Sequence, residues 1–243
     1  MDTARDTLIR KLTEHSRLDP EDEVALRSLA MRMRDLEPEE DLAANGRGNG
    51  TLALVRDGLV ARYHTRSSGK RQYLSFHMSG DMPDAEALFL ERRDHAVCSI
   101  GKARVGLVAR DDMLDLIKAR PSIGVAVWRG TLIDAAISRT AMANLGARPG
   151  RTRMAHLFCE LYYRAQSTGI AKQGSCHLPF NQTQLGDALA MSLVTVNRTL
   201  QSLRRTGAIQ FRSGKMTVHD WARLAEIGHF DPSYLHIQRP VRL

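Results

Sequence analysis

The sequence predicts an α+β protein with an N-terminal antiparallel β-roll, a long helix and a C-terminal winged helix-turn-helix. Residues 33–110 consist of short apolar runs separated by Gly, Asn, Asp and Ser, and residues 122–146 carry a helical apolar repeat. Residues 181–218 combine two short helices with a hairpin. The expected domains are residues 1–110, which include two N-terminal helices, residues 111–146 and residues 147–243.

Charge is unevenly distributed along the 243-residue chain. Residues 1–146 contain 22 Lys and Arg against 22 Asp and Glu, whereas residues 147–243 contain 13 against 5, so the net charge of +8 lies in the second segment. A basic segment without a long Lys/Arg run is typical of a folded nucleic-acid binder. We therefore expect two domains with different partners.

The same composition argues against several classes of protein. The N-terminus has no apolar run and no small-residue cleavage site, so we expect no signal peptide, no transmembrane span and a cytoplasmic location. Cys98, Cys159 and Cys176 are odd in number and widely spaced, which predicts buried, reduced thiols and not a disulfide framework or a zinc site. No metal or cofactor is expected.

The N-terminal third is expected to begin with helices and continue as strands. Residues 3–17 and 20–32 form the predicted helices, the second of which has acidic residues in its first turn. Asp57-Gly58 and Ser68-Gly69 mark reversals between runs that alternate apolar and polar residues. Such runs predict antiparallel hairpins, and hence a compact β-roll.

A short helix starting at Asp111 precedes Pro121, and a longer helix follows it. In the longer helix, apolar residues recur at spacings of three and four, the pattern of a helix that pairs along one seam. The seam packs either on the β-roll of its own chain or on its counterpart in a homodimer. The expected dimer interface consists of Val125, Trp128, Leu132, Ala135, Arg139 and Met142.

Residues 181–205 have the layout of a helix-turn-helix. Leu185 and Leu189 are apolar anchors on the first helix, and Gly186 between them leaves room for the second helix to cross closely. Residues 190–192 form the expected turn, and Ser192 is expected to cap the second helix. That helix should bury Val196, Leu200 and Leu203.

The opposite face of the second helix is expected to be exposed and polar or basic. A hairpin with Ser213-Gly214-Lys215 at its tip follows, which makes the segment a winged helix and favours DNA binding over a merely solvated face. The expected base-reading residues are Val194, Asn197, Arg198 and Gln201. The expected phosphate contacts are Asn181, Gln182, Thr183, Ser192, Thr195, Arg205 and Lys215, although capping alone would also explain Ser192.

Over nearly its full length the chain resembles the Crp/Fnr family of bacterial transcription regulators. The N-terminal resemblance rests on residues 58–82, which lead to Gly80-Asp81, and on Leu88-Phe89; the C-terminal one rests on residues 183–209 and the Ser-Gly-Lys wing. It implies a cyclic-nucleotide-binding-like jelly roll, a dimerisation helix and a homodimer on a pseudo-palindromic site in double-stranded DNA. It also implies contact with RNA polymerase and no catalytic activity.

Departures from the family pattern concern the effector pocket. Members that bind cyclic nucleotides have Gly-Glu for the ribose and Arg followed by Ser or Thr for the phosphate, where this chain has Asp84-Ala85 and His95-Ala96. A phosphate needs a fixed cation, and His95 is expected to be mostly neutral at pH 7. A shift of one residue places Glu86 at the ribose, but no register supplies the Arg-Ser pair. The pocket is therefore expected to be degenerate, and the effector remains unnamed.

Two alternatives stay open for the N-terminal domain. One is a cyclic-nucleotide-gated regulator with a non-standard pocket. The other is a cupin-type metal-binding enzyme, which needs two His and a carboxylate converging from neighbouring strands. Its candidate ligands are His64, His77, Glu86 and His95, but the chain has no His-x-His pair.

Overall fold

The computed structural model describes residues 3–48, 50–238 and 241. Its helices are α1 (Ala4–Thr13), α2 (Pro20–Ser28), α3 (Arg110–Ala119), α4 (Pro121–Ala147), α5 (Gly150–Ser167), α6 (Gln182–Leu189), α7 (Leu193–Arg205) and α8 (Trp221–Gly228). Its strands are β1 (Arg32–Leu36), β2 (Asp41–Ala43), β3 (Gly46–Arg47), β4 (Thr51–Asp57), β5 (Val60–Thr65), β6 (Arg71–His77), β7 (Arg92–Arg93), β8 (Ala96–Ser99), β9 (Ala103–Ala109), β10 (Ser175–His177), β11 (Ile209–Arg212) and β12 (Lys215–Val218). Short 3₁₀ helices lie at Ala85–Leu88 and Pro232–Leu235.

The N-terminal strands form the predicted antiparallel β-roll. One sheet has the order β2-β8-β5-β6, a second has the order β1-β9-β4, and β3 pairs with β7. Both predicted reversals are present, between β4 and β5 and between β5 and β6. At the first of them Gly58 has φ of +84°, and a Cβ on it would lie 2.5 Å from the carbonyl oxygen of Lys102.

The two N-terminal helices are shorter than predicted. The second ends at Ser28 because Leu29 already has extended backbone and the chain pairs with β9 from Arg32 onward. Capping is provided by Thr3 and Asp19, each in a reciprocal capping box with the residue three positions later. The acidic first turn of α2 is therefore as predicted, and only its C-terminal limit was wrong.

The long helix α4 ends at a short break. It runs for 27 residues, and Arg148-Pro149 separates it from α5. Proline cannot donate the backbone hydrogen bond that would continue the helix. The break lies next to the predicted domain boundary between residues 146 and 147.

The C-terminal domain packs on the β-roll, which the sequence patterns do not predict. Two domains with a core each were expected, but one apolar cluster joins residues of β5, β6 and β8 to α5, α6 and α7. The rings of Phe76 and Phe180 meet edge to face across this boundary, with centroids 4.8 Å apart. Arg164 on α5 donates to Asp81 after β6 at 2.6 Å. The apolar face of α5 therefore covers the roll as well as its own domain.

The C-terminal segment also returns to the N-terminal domain, beyond the last predicted strand. Leu235 is buried against Ile133 and Ile137 of α4. The backbone N–H of Gln238 donates to the carbonyl oxygen of Glu14 at 3.1 Å. The chain after α8 thus ties the C-terminal domain to both α4 and the end of α1.

Candidate nucleic-acid interface

Helix α6 begins with a complete capping box. The Asn181 side chain accepts from the backbone N–H of Gln184 at 2.8 Å, and the Gln184 side chain accepts from the backbone N–H of Asn181 at 2.9 Å. Asn181 was expected to contact phosphate, but its side-chain oxygen serves this cap. Gln182 and Thr183 lie exposed in the first turn.

A tight turn sets the crossing of α6 and α7. Ala190 ends α6 with a left-handed backbone, φ of 52°, and a Cβ on Gly186 would lie 2.7 Å from the carbonyl oxygen of Met191. Only glycine permits this approach, as the sequence predicts. Ser192 caps α7 by accepting from the N–H of Thr195 at 3.2 Å, and their hydroxyl groups are 2.9 Å apart.

Helix α7 separates a buried apolar face from an exposed face. Val196, Leu200 and Leu203 are buried as predicted. On the other side Val194 is 77% exposed, and Arg198, Gln201 and Arg205 are exposed with it. Asn197, expected with the base-reading residues, is half-buried. We call Val194, Arg198, Gln201 and Arg205 the outer face of α7.

The predicted wing is present as a hairpin of β11 and β12. Its two-residue turn places Ser213 and Gly214 at positive φ, which matches the twist of the strands, and Lys215 is exposed where β12 begins. Strand β10 adds a third strand beside β12. It ends at His177, and the backbone N–H of Leu178 then donates to the carbonyl oxygen of Gly214 at 2.6 Å.

A groove of about 750 Å³ lies between the start of α6, the inner edge of α7 and the wing. The expected phosphate contacts Asn181, Gln182 and Thr183 line it together with residues that the sequence reasoning missed. Those residues are His177, Arg204 and Arg212. The signal for the two arginines was their basic character near the end of α7 and at the end of β11. Arg204 also donates to the carbonyl oxygen of Phe211.

Most cations of this domain have no ion-pair partner. Among the described residues after 147, ion pairs involve Arg164, with Asp81 and Glu160, and Arg223, with Glu226. Arg198, Arg205 and Lys215 have no carboxylate within 4 Å in the described part of the chain. Exposed cations without internal partners are the groups that nucleic-acid phosphates neutralise.

The seam of α4 faces solvent. Val125, Trp128, Leu132 and Met142 are each more than half exposed, Arg139 is exposed and Ala135 is half-buried. A different face of α4 packs on the same chain, and it consists of Ile123, Ala126, Val127, Ile133, Ala136, Ile137 and Asn144. The alternative in which the seam covers the β-roll of its own chain is therefore wrong.

Internal ion pairs occupy the expected effector pocket. Asp84 is buried, accepts from the N–H of Ala53 at 2.8 Å and pairs with Arg93 at 3.0 Å. Burial raises the pKa of Asp84 to about 6, against the opposing effects of Ala53 and Arg93. Ala85 lies buried in the 3₁₀ helix and Ala96 is buried at the start of β8.

His95 lies among carboxylates. Its Nε2 is 3.1 Å from Glu86 and its Nδ1 is 2.7 Å from Asp94. Burial lowers the pKa of His95, whereas Glu86 and Asp94 raise this pKa by more than burial lowers it, so the net shift is upward. The raised pKa increases the cationic fraction of His95, and two carboxylates lie beside it. That His95 is mostly neutral at pH 7 stays a prediction.

An arginine connects this cluster to the seam helix. Arg62 on β5 lies 3.3 Å from Glu86 and 3.2 Å from Asp134 of α4, and its Nε donates to the carbonyl oxygen of Pro83 at 2.7 Å. Sequence spacing does not bring these residues together, because they come from β5, a 3₁₀ helix and α4.

The structure also bears on metals, membranes and thiols. Within residues 3–48, 50–238 and 241, no group of three or more His, Cys, Asp or Glu side chains is placed to hold a metal ion, His64, His77, Glu86 and His95 included. None of the helices in the same ranges is both long and apolar enough to cross a bilayer. Cys98, Cys159 and Cys176 are buried free thiols, as predicted.

Two domain families match the chain in this order. A cyclic nucleotide-binding domain matches residues 33–120, and a Crp-like helix-turn-helix domain matches residues 152–227. The solved structure of FixK2 from Bradyrhizobium japonicum has the same fold, with a TM-score of 0.71 at 22% identity over 82% of this chain and 98% of that one.

Similar proteins are named as regulators, in agreement with the expectation of no catalytic activity. The transcriptional activatory protein AadR of Rhodopseudomonas palustris is 25% identical over 224 residues, 92% of this chain and 89% of that protein. The anaerobic regulatory protein of Haemophilus influenzae is 20% identical over 202 residues, 83% of this chain and 78% of that protein. With a cyclic nucleotide-binding domain followed by a Crp-like helix-turn-helix domain, and with relatives named as regulators, the chain is a DNA-binding transcription regulator of the Crp/Fnr type.

Proposed function

We propose that the protein acts as a homodimer that places α7 of each protomer in successive major grooves of a pseudo-palindromic operator, with half-sites about 34 Å apart. The observation that carries this proposal is the outer face of α7, which is exposed and basic beside an exposed wing lysine. We place the protein in the cytoplasm, with RNA polymerase as a further partner.

Roles within the interface follow from side-chain chemistry. Arg198 binds guanine O6 and N7 as a bidentate donor, Gln201 and the half-buried Asn197 meet adenine, and Val194 packs on a thymine methyl group. Phosphates are contacted by Gln182, Thr183, Thr195, Arg205 and Lys215, while Asn181 and Ser192 hold the first turns of α6 and α7 in place by capping them.

The exposed seam of α4 supports the homodimer. Four large apolar side chains at a/d spacing, each more than half exposed, form a continuous stripe of the kind that a second copy of the same helix covers. A two-fold axis along this stripe would present two α7 helices to one duplex. The dimer interface is therefore proposed at Val125, Trp128, Leu132, Ala135, Arg139 and Met142.

We further propose that cyclic AMP does not gate the protein. His95, at the expected phosphate position, already has Glu86 and Asp94 beside it, and Arg93 is buried against Asp84. A cyclic phosphate would have to displace these carboxylates to gain a positive partner. Saturable binding of cyclic AMP in calorimetry, with tighter DNA binding, would revive the nucleotide-gated alternative.

The proposal is tested by selecting bound fragments from a random DNA library with the full-length protein, followed by affinity measurements on the selected site. We expect a two-fold symmetric sequence. Arg198→Ala should cost about 1–3 kcal/mol of binding and relax one base position in each half-site. Arg223→Ala, an exposed arginine on α8 that pairs with Glu226, is the control and should keep affinity and preference.

An unchanged affinity and sequence preference in Arg198→Ala would show that α7 does not enter the groove with its outer face. Selection of no common sequence would reduce the proposed activity to general nucleic-acid binding.

A further inference from the structure

We infer that the β5–β6 hairpin of the N-terminal domain is a second phosphate-contacting element, which binds the DNA backbone beside the segment read by α7. We call residues 66–71, between and at the edge of these strands, the hairpin tip. This inference rests on the proposed function, because it adds contacts to the same DNA complex.

The hairpin is held against the helix-turn-helix. Gln72 on β6 donates from Nε2 to the backbone carbonyl oxygen of Asp187 on α6 at 2.5 Å. Gln184, also on α6, donates to Glu39 at 2.9 Å and to the carbonyl oxygen of Ile100 at 3.2 Å. The hairpin and α6 therefore have a defined position relative to each other.

A groove opens between the hairpin and the turn of the helix-turn-helix. Its volume is about 560 Å³, and it is lined by Arg66 and Gln72 on one side and by Asp187 and residues 190–192 on the other. Ser192 is the cap of α7 and one of the expected phosphate contacts. The groove is therefore continuous with the proposed DNA interface, and Arg66 lies across it from the start of α7.

The cations of the hairpin tip differ in their partners. Arg71 is committed to its own domain, because it pairs with Asp41 at 2.9 Å and lies 4.5 Å from the centre of the Tyr63 ring. Arg66 and Lys70 are exposed, and no carboxylate of the described chain lies within 4 Å of either. Two cations of the tip are thus available to a ligand.

The backbone holds these two cations together. The N–H of Arg66 donates to the carbonyl oxygen of Lys70 at 2.8 Å, and the N–H of Gly69 donates to the carbonyl oxygen of Arg66 at 2.9 Å. Gly69 has φ of +76°, as such a turn requires. The two residues are therefore direct neighbours across the end of the hairpin.

One acidic residue faces the same groove. Burial raises the pKa of Asp187, while Lys70 and Arg66 lower it, so both cations act on this carboxylate. Arg66, which lines the groove, and Lys70, its neighbour across the turn, place positive charge beside Asp187, on whose pKa Glu39 acts in the opposite direction. That charge is complementary to a phosphodiester backbone and lies beside residues already assigned to it.

The test uses the full-length protein and the DNA fragment obtained by selection. Binding of wild type and of Arg66→Ala/Lys70→Ala is measured by fluorescence anisotropy over a series of salt concentrations. Each lost phosphate contact lowers the slope of log K against log salt by about 0.9, so a dimer lacking all four should lose about 3 to 4 in slope. Base preference should not change, because phosphate contacts carry no sequence information.

Two variants separate the effect of position from that of charge. Arg27→Ala/Lys118→Ala removes two exposed cations from α2 and α3 and should keep the wild-type slope. Lys70→Arg/Arg66→Lys keeps both charges at the tip and should restore most of the affinity. The alanine variant should melt like wild type, because both side chains are exposed.

A wild-type slope in the alanine variant, with sequence-specific binding retained, would overturn the inference and leave the proposed function standing. So would unchanged DNA binding combined with loss of transcriptional effect, because the tip would then contact polymerase. Absence of DNA binding by wild type would instead overturn the proposed function, and this inference with it.

Discussion

In the β-roll and α4, charged groups of the interior are paired with one another, whereas α7 and the wing leave their cations facing solvent. Arg93 meets Asp84, and Arg62 joins Glu86 to Asp134. By contrast, Arg198 and Lys215 have no carboxylate near them in the described chain. In the N-terminal half, positive and negative groups therefore pair and stabilise the fold. In the C-terminal half, the surplus cations are available to a polyanion.

The largest loss of stability is expected from removing a buried charge at the contact between the two halves. Asp81 lies between Lys11 at 3.3 Å and Arg164 at 2.6 Å, and all three are largely buried. Asp81→Ala should lower the free energy of unfolding by about 3 kcal/mol, because it removes the carboxylate shared by two buried cations and leaves Lys11 with Glu14 and Arg164 with Glu160 as their remaining partners. Urea denaturation measures the loss. Glu226→Ala, at an exposed pair, should cost less than about 1 kcal/mol.

The same residue gives the stability a pH dependence of known sign. Burial alone would raise the pKa of Asp81, but Lys11 and Arg164 hold it well below its usual range. A carboxyl with a depressed folded-state pKa stabilises the fold above its unfolded pKa, near 4, and this contribution is lost as the pH falls further. Wild type should therefore lose more stability below pH 4 than Asp81→Asn does. Equal losses would contradict the role given to Asp81.

A second substitution tests the apolar surface of residues 1–146, the segment with no net charge. Leu132 is 53% exposed on the seam of α4. Leu132→Lys should weaken self-association by roughly 2 kcal/mol or more, since burying a leucine side chain contributes roughly 1.5–3 kcal/mol. Sedimentation equilibrium measures this, and the folded protomer should keep its unfolding free energy. Val24→Lys, at an exposed apolar position on α2, serves as control. An unchanged dimer in Leu132→Lys would place the interface elsewhere.

The smallest effect is expected for the basic half. Lys215→Ala at the wing should change the unfolding free energy by less than about 0.5 kcal/mol, because the side chain is exposed. Because a dimer has two copies of Lys215, the substitution should lower the slope of log K against log salt for DNA binding by about 2, with the same sequence preference. A changed preference would mean that the wing contacts bases and not phosphates.

The helix-turn-helix was predictable because its signals are local. Gly186, the Ser192 cap and the buried positions of α7 all follow from spacings within 25 residues, and the structure agrees with each. Asn181 shows the limit of such reasoning. Its residue type suits a phosphate contact and a helix cap equally well, and only the hydrogen bond to Gln184 identifies the cap.

The effector pocket could be predicted only in part. The motif positions mark Asp84 and His95 as departures from the family pattern, and their partners Arg93, Glu86 and Asp94 are close to them in sequence. The arginine that joins this cluster to α4 comes from a distant strand. Arg62 is 24 residues from Glu86 and 72 residues from Asp134 in sequence. No periodicity reports such distances, and this is why sequence reasoning did not place Arg62 in the pocket.

By itself the sequence determined the order of the parts, the turn chemistry, the two faces of α7 and the placement of the positive charge, because each depends on neighbouring residues or on composition. Tertiary structure decided which charges are neutralised, which face of α4 remains uncovered and where the hairpin meets the helix-turn-helix. The physical reason is that a charge pair or an apolar contact depends on distance in space, and chain folding sets that distance between residues such as Asp81 and Arg164 that are 83 positions apart.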